Sequence, residues 1–129
     1  MTKTILVLED ERPLLEVIKI KLEKSGLSVV TARSVTQAMS YLEDLEKIDA
    51  IWLDHYLLGK ENGLDFVSKL KEDGVLWKKI PIFVVSNTAS PDKVQSYIRL
   101  GVNKYYTKAE HRLDEIIEDI KLFLNNPDN

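Results

Sequence analysis

The chain has 129 residues, 44% of them apolar and 30% charged, which is one domain's worth of sequence with enough apolar material for a real core. Its net charge of −3 and pI near 5.4 argue against nucleic acid as a direct ligand, since phosphate backbones require a basic footprint. It has no cysteine, which excludes disulfides, thiolate zinc sites and cysteine nucleophiles. The longest early apolar run, Ile5 to Leu8, is too short for a signal peptide or a membrane span, so no membrane insertion and a cytoplasmic location are the expectation.

From the N-terminus, Thr4 to Leu8 (TILVL) reads as a first strand. Pro13 suits a first helical turn. Leu14, Leu15, Ile18 and Leu22 then follow at helical spacing, and Gly26 stops that helix. Leu27 to Thr31 is strand two. Ser34 with Gln37 forms a capping-box pattern opening a helix to about Glu46. Asp49 to Leu53 is strand three. Asn62 can cap a helix from Gly63 to about Asp73, closed by Gly74. Ile80 to Val85 is strand four, with Pro81 near its start, where a missing donor is tolerated. Ser90-Pro91 opens a helix that stops before Gly101. Val102 to Tyr106 is strand five. Leu113, Ile116, Ile117, Ile120 and Leu124 form the apolar stripe of a last helix. Residues 1–125 read as one domain and 126–129 as a flexible polar tail.

Five strands alternating with five helices predict an α/β fold: a parallel sheet covered on both faces and doubly wound through right-handed crossovers. A flavodoxin-like (βα)5 arrangement with strand order 2-1-3-4-5 is the natural choice for five units, although periodicity does not itself fix the order.

In a parallel sheet the C-terminal ends of all strands share one edge. Strand one ends there in Glu9 and Asp10, strand three in Asp54, strand four in Ser86, and strand five close to Lys108. Asp54 stands at the end of the apolar run IDAIWL, where an isolated buried carboxylate is costly and must find water, a partner or a metal. In the order 2-1-3-4-5, strands one and three are neighbours at the switch point, where such sheets bind ligands. Three adjacent carboxylates repel unless a cation neutralises them, and oxygen-only ligands favour Mg²⁺ or Mn²⁺. Lys108 adds a fixed positive charge and Ser86 a hydroxyl. A metal, an ammonium and a hydroxyl around one carboxylate suit phosphoryl transfer, with Asp54 as nucleophile forming an aspartyl phosphate.

The segments ILVLEDE, IWLDHYLLGKENGLDF, IFVVSN and VNKYYTK resemble the signature blocks of response-regulator receiver domains of two-component signalling, in order and across essentially the whole chain. The resemblance implies that Asp54 is the phosphoacceptor. It implies that Asp10 and Glu9 form the acidic pocket, Asp10 as the more direct Mg²⁺ ligand and Glu9 partly through water. Asp54 itself and the backbone carbonyl of Tyr56 would be further ligands, Ser86 the switching hydroxyl, Lys108 the phosphoryl-binding cation and Tyr105 the aromatic that changes rotamer. It also implies a sensor histidine kinase or histidine phosphotransfer protein as donor. A downstream protein partner would bind the face of helix four, strand five and helix five, near Lys93, Arg99, Lys104 and Tyr105. On this reading the chain is no enzyme beyond its own phosphorylation and dephosphorylation, and is a stand-alone receiver or a piece of a larger protein.

Several residues depart from the family's pattern. Ala109 follows Lys108 where the family usually has proline, often behind a cis bond. A cis bond to a non-proline residue costs about 2.5–4 kcal/mol, so a trans bond or a different placement of Lys108 is the expectation. The loop from Asp54 to Gly63 reads as one residue longer than usual, with Gly59 in place of a common proline. Asn87 stands where a small residue is usual, and Tyr56 and Thr88 occupy positions that tune dephosphorylation.

The plainer readings are these. Asp54 alone could cap a turn, and Glu9-Asp10 could simply begin a helix. Trp52 reads as core, Trp77 as a loop residue, and His55 and His111 as solvent-facing. The competing function is a degenerate receiver, a binding module that is never phosphorylated. A phosphatase of the haloacid-dehalogenase kind needs an acid two residues after the nucleophile, where Tyr56 stands. A nucleotide enzyme lacks its glycine-rich first loop, since LEDERP contains no glycine.

Overall fold

The computed structural model describes residues 2–44, 47–72, 77–87 and 90–126. Its elements are β1 Thr4–Leu8, α1 Arg12–Lys24, β2 Ser28–Ala32, α2 Val35–Asp44, β3 Ala50–Leu53, α3 Gly63–Glu72, a short 3₁₀ turn Trp77–Lys79, β4 Ile82–Ser86, α4 Pro91–Leu100, β5 Lys104–Thr107 and α5 Leu113–Asn125. The strands form one sheet in the order β2-β1-β3-β4-β5, every neighbouring pair parallel. This is the flavodoxin-like doubly wound arrangement that the alternation of strands and helices predicts.

The pleat sorts the strand residues onto two faces. Ile5, Val7, Ala50, Trp52, Phe83, Val85 and Tyr106 pack with Leu15, Ile18 and Leu22 of α1 and with Ile116, Ile117 and Ile120 of α5. Leu6, Leu8, Ile51, Leu53, Ile82 and Val84 pack on the other side, with residues of α2, α3 and α4. Side chains two apart share a face, so near-continuous apolar strands fill two cores at once.

Helix ends follow local chemistry. The Gly26 backbone is left-handed (φ 90°), and its amide bonds the Glu23 carbonyl at 3.0 Å, closing α1. Gly101 (φ 91°) does the same for α4. Asn62 and Asp65 exchange side-chain-to-amide hydrogen bonds of 3.0 and 2.8 Å, a reciprocal cap on α3. Ser34 accepts from the Gln37 amide at 3.1 Å, but the Gln37 side chain reaches the Arg33 amide (2.8 Å) instead of that of Ser34.

Strand boundaries differ from the sequence reading by one or two residues. β2 and β5 begin later, at Ser28 and Lys104. β3 begins at Ala50, because the Asp49 carboxylate is taken by the Thr4 amide at 2.8 Å. β4 begins at Ile82, because the Ile80 amide closes the 3₁₀ turn on the Trp77 carbonyl (3.1 Å). The expected helix ends at Glu46 and Asp73, the stop at Gly74, Thr88, and positions 127–129 of the tail lie outside the described residues.

Candidate functional site

The sheet's hydrogen-bond ladder runs one step past the strands and sets the two acidic ends. The Glu9 amide bonds the Ala32 carbonyl (3.0 Å), and the Asp54 amide bonds the Leu8 carbonyl (3.0 Å). Both carboxylates are buried, Glu9 at 1% and Asp54 at 4% exposure. Together with the half-buried Asp10 they offer oxygen atoms all within 4.8 Å of one another.

Lys108 reaches into this cluster. Its Nζ lies 2.8 Å from Glu9 Oε1 and 3.4 Å from Asp54 Oδ2. Burial pushes the Glu9 carboxyl up to about 7, opposed by the Lys108 hydrogen bond and reinforced by the negative charge of Asp54. For Lys108, burial alone would lower the ammonium. The hydrogen bond that Lys108 donates to Glu9, then the charges of Asp54 and Glu9, outweigh it and hold it above the usual lysine value. One ammonium therefore faces a cluster of three carboxylates, and the raised Glu9 carboxyl reflects its burial and, to a lesser degree, the charge of Asp54 beside it. The donor set is hard oxygen with excess negative charge, which fits a small divalent cation.

The remaining predicted residues lie around this cluster. Ser86 is fully buried at the end of β4, and its carbonyl accepts the Lys108 amide at 2.8 Å. That bond seats Lys108 without a proline behind it; no peptide bond among the described residues is cis, so the Lys108–Ala109 bond is trans. The Tyr105 hydroxyl is hydrogen-bonded to the Ser86 side chain. Tyr56 is half-exposed in the loop after Asp54, and its hydroxyl accepts from Lys93 Nζ at 3.1 Å. Ser86 and the partly buried Tyr105 fall on the α4 side of the sheet. Glu9, Asp54 and Lys108 continue the alternation of the opposite face.

Residues 5–121 match the family model described as "Response regulator receiver domain". The chain belongs to the response-regulator receiver family. The phosphate regulon transcriptional regulatory protein PhoB of Pseudomonas aeruginosa is 34% identical over 106 residues, which are 82% of this chain and 45% of PhoB. The receiver chain thus spans less than half the length of that relative. The phosphorylated cyanobacterial phytochrome response regulator RcpA superposes with a TM-score of 0.80 at 28% identity, covering 95% of this chain and 91% of that one. The Mn(2+)-bound form of response regulator Rcp1 shares the fold with a TM-score of 0.81 at 24% identity, covering 96% of each chain.

In this receiver His55 is not solvent-facing, contrary to expectation. It is 4% exposed, and its Nδ1 lies 2.7 Å from the hydroxyl of Tyr97, a wholly buried residue of α4. Burial lowers the imidazole below its usual value, and nearby Lys93 lowers it further. Polarity misled the sequence reading: a histidine can be buried when a neighbour satisfies its ring nitrogen. His111 is also half-buried, edge-on to the Tyr106 ring at 5.2 Å. Tyr97 and Lys93, one turn apart on α4, thus hold His55 and Tyr56, the two residues after Asp54. The sequence signal was the i, i+4 spacing of Lys93 and Tyr97, which carries no pointer to its partners.

Gly63 makes this contact possible. A β-carbon there would overlap the Tyr97 hydroxyl and sit 2.8 Å from the Asp54 carbonyl. The Gly63 amide also donates to the His55 carbonyl at 2.9 Å. Gly63→Ala is expected to lose about 1–3 kcal/mol of stability in chemical denaturation, as an overpacked core does, despite alanine's better helix propensity. An unchanged midpoint would show that the loop after Asp54 and α4 move apart freely.

Proposed function

We propose that this receiver accepts a phosphoryl group on Asp54 in a Mg²⁺-dependent reaction, from a sensor histidine kinase or a histidine phosphotransfer protein. The observation that carries the reading is three carboxylates within 4.8 Å, with Lys108 bonded to two of them, at the switch-point edge of the sheet. An Asp54 carboxylate oxygen attacks phosphorus, the P–O bond forms, and the P–N bond to the donor imidazole breaks. The departing imidazole then takes a proton. A bound Mg²⁺ supplies charge neutralisation for the phosphoryl oxygens. Glu9, Asp10 and Asp54, with the Tyr56 carbonyl, would hold the ion, and Mn²⁺, the ion of the Mn(2+)-bound Rcp1, could substitute. Lys108 holds a phosphoryl oxygen. Ser86 follows it as the switching hydroxyl, and Tyr105, bonded to Ser86, carries the change to the α4–β5–α5 face, where a downstream protein binds. No described helix is long and apolar enough to cross a membrane.

Incubation with acetyl phosphate and Mg²⁺ is expected to add one phosphoryl group to the intact mass, and EDTA to abolish the gain. Beryllofluoride, which mimics the phosphoryl group, separates an unreactive site from a short-lived product. Neither a mass gain nor beryllofluoride binding would leave the protein as a phosphorylation-independent interaction module.

Glu9 gives the metal reading a pH signature. Its folded pKa, about 7, lies above its unfolded value. The metal-free fold therefore loses this group's contribution as pH rises between the two values, and an ionised Glu9 is left under-compensated. Below that folded value a proton competes with the ion. The Mg²⁺-induced rise in melting temperature is expected to be larger at about pH 8 than at about pH 6. An equal rise at both would remove Glu9 from the ion's surroundings.

A further inference from the structure

We propose that Arg33 is a positioning residue that fixes Asp10 and the loop after Asp54 at a set separation, and so governs how tightly the acidic pocket holds a divalent cation. The inference rests on the reading of Glu9, Asp10 and Asp54 as that pocket. Arg33 follows β2 directly. Its Nε and Nη2 donate together to the main-chain carbonyl of Asp10, at 2.9 and 2.7 Å. Its own carbonyl accepts the amide of Leu58 at 2.9 Å, and the next residue, Ser34, forms an isolated parallel bridge with Leu58. Its amide is held by the Gln37 side chain at 2.8 Å. One residue therefore ties together the loops after β1, β2 and β3.

The other two acids have their own restraints. Glu9 and Asp54 are held by ladder bonds through their amides and by Lys108 at their carboxylates. For Asp10 the corresponding restraint is the forked bond from Arg33. A planar guanidinium gripping one carbonyl with two donors fixes that peptide's orientation, and with it the carboxylate the peptide carries.

Charge and position predict opposite results. A guanidinium bonded to the main chain of one of the three acids adds positive charge near the pocket, so if its charge were all that mattered, its removal would tighten cation binding. If it positions Asp10, its removal weakens binding, by about 10-fold on the scale of outer-shell partners in metal sites.

The test is Mn²⁺ affinity, read from the electron paramagnetic resonance signal of free Mn²⁺, in wild type, Arg33→Ala and Arg33→Lys, with melting in EDTA recorded for each. The expected result is about 10-fold weaker binding in Arg33→Ala, with Arg33→Lys between it and wild type, and little change of melting in EDTA. Should the alanine variant fail to fold, Arg33→Gln serves the same comparison. Wild-type or tighter affinity in the charge-removed variant overturns the positioning role while leaving the pocket intact. Absence of Mn²⁺ binding to wild type overturns the pocket reading, and this inference with it.

Discussion

Asp54→Asn is expected to take up no phosphoryl group from acetyl phosphate and Mg²⁺, and yet to melt higher than wild type in EDTA. The loss is complete because an amide oxygen is too poor a nucleophile to form the acyl phosphate, and no other residue stands in its place. The gain follows from the same geometry. Asp54 is a buried carboxylate whose only ion-pair partner among the described residues, Lys108, is shared with Glu9 and stands 3.4 Å away. Its charge is among the causes that raise Glu9. Asparagine keeps the shape, can still accept the His55 amide that now bonds Asp54 Oδ1 at 2.8 Å, and removes one of three mutually repelling charges. The expected stabilisation is about 0.5–2 kcal/mol, the usual range when a strained functional group is relaxed. Intact mass and thermal unfolding in EDTA measure the two effects. A phosphorylated Asp54→Asn protein would place the acceptor elsewhere. A lower melting point would show that Asp54 is a structural partner of Lys108 first.

Lys108→Met works in the other direction. It leaves Glu9 and Asp54 buried without their cation. Breaking a buried pair by removing one partner costs about 3–5 kcal/mol, because the remaining charge is uncompensated. The phosphoryl-transfer rate is expected to fall about 10²–10³-fold, the scale of losing one preorganised charge at a reacting group. The stability loss depends on pH in a defined sense. With Lys108 gone, Glu9 titrates still higher in the folded state, so the deficit is largest above that pKa and shrinks as pH falls through it and the carboxyl takes a proton. Mg²⁺ is expected to restore part of the loss, since it supplies the missing positive charge. Denaturant melts in EDTA and in Mg²⁺ across this pH range check the prediction. A loss that grows on acidification would assign Lys108 a partner other than these carboxylates.

The fold was legible because its signals are local. Short continuous apolar runs for the strands, period-3.6 helices, the Asn62–Asp65 cap and the glycines at 26 and 101 each announce an element or its end. The candidate site was legible for a different reason. Parallel strands bring their C-terminal ends to one edge, so Glu9, Asp10, Asp54, Ser86 and Lys108 had to be neighbours once the strand order was granted. What stayed hidden depends on contacts across the sequence. His55 meets Tyr97 across 42 positions and Arg33 meets Asp10 across 23. A polar residue in a loop gives no sign of whether it faces water or a buried hydroxyl. The placement of Lys108 without a following proline was hidden as well, because a main-chain bond to Ser86 provides it and a main-chain bond has no side-chain signature.

Trp52 packs on the same face of the sheet as the site, one pleat before Asp54, wholly screened from solvent, and its indole N–H has no hydrogen-bond partner among the described residues. The other indole, Trp77, is partly exposed at the far end of β4. The protein thereby carries an optical gauge of its own. An unpaired indole dipole in an apolar cage emits toward the blue and shifts with the local electric field, and a dissolved quencher such as iodide reaches only Trp77. With iodide present, the light that remains comes from beside Asp54, so a bound ion or an added phosphoryl group there would register as a change of colour, with no label attached.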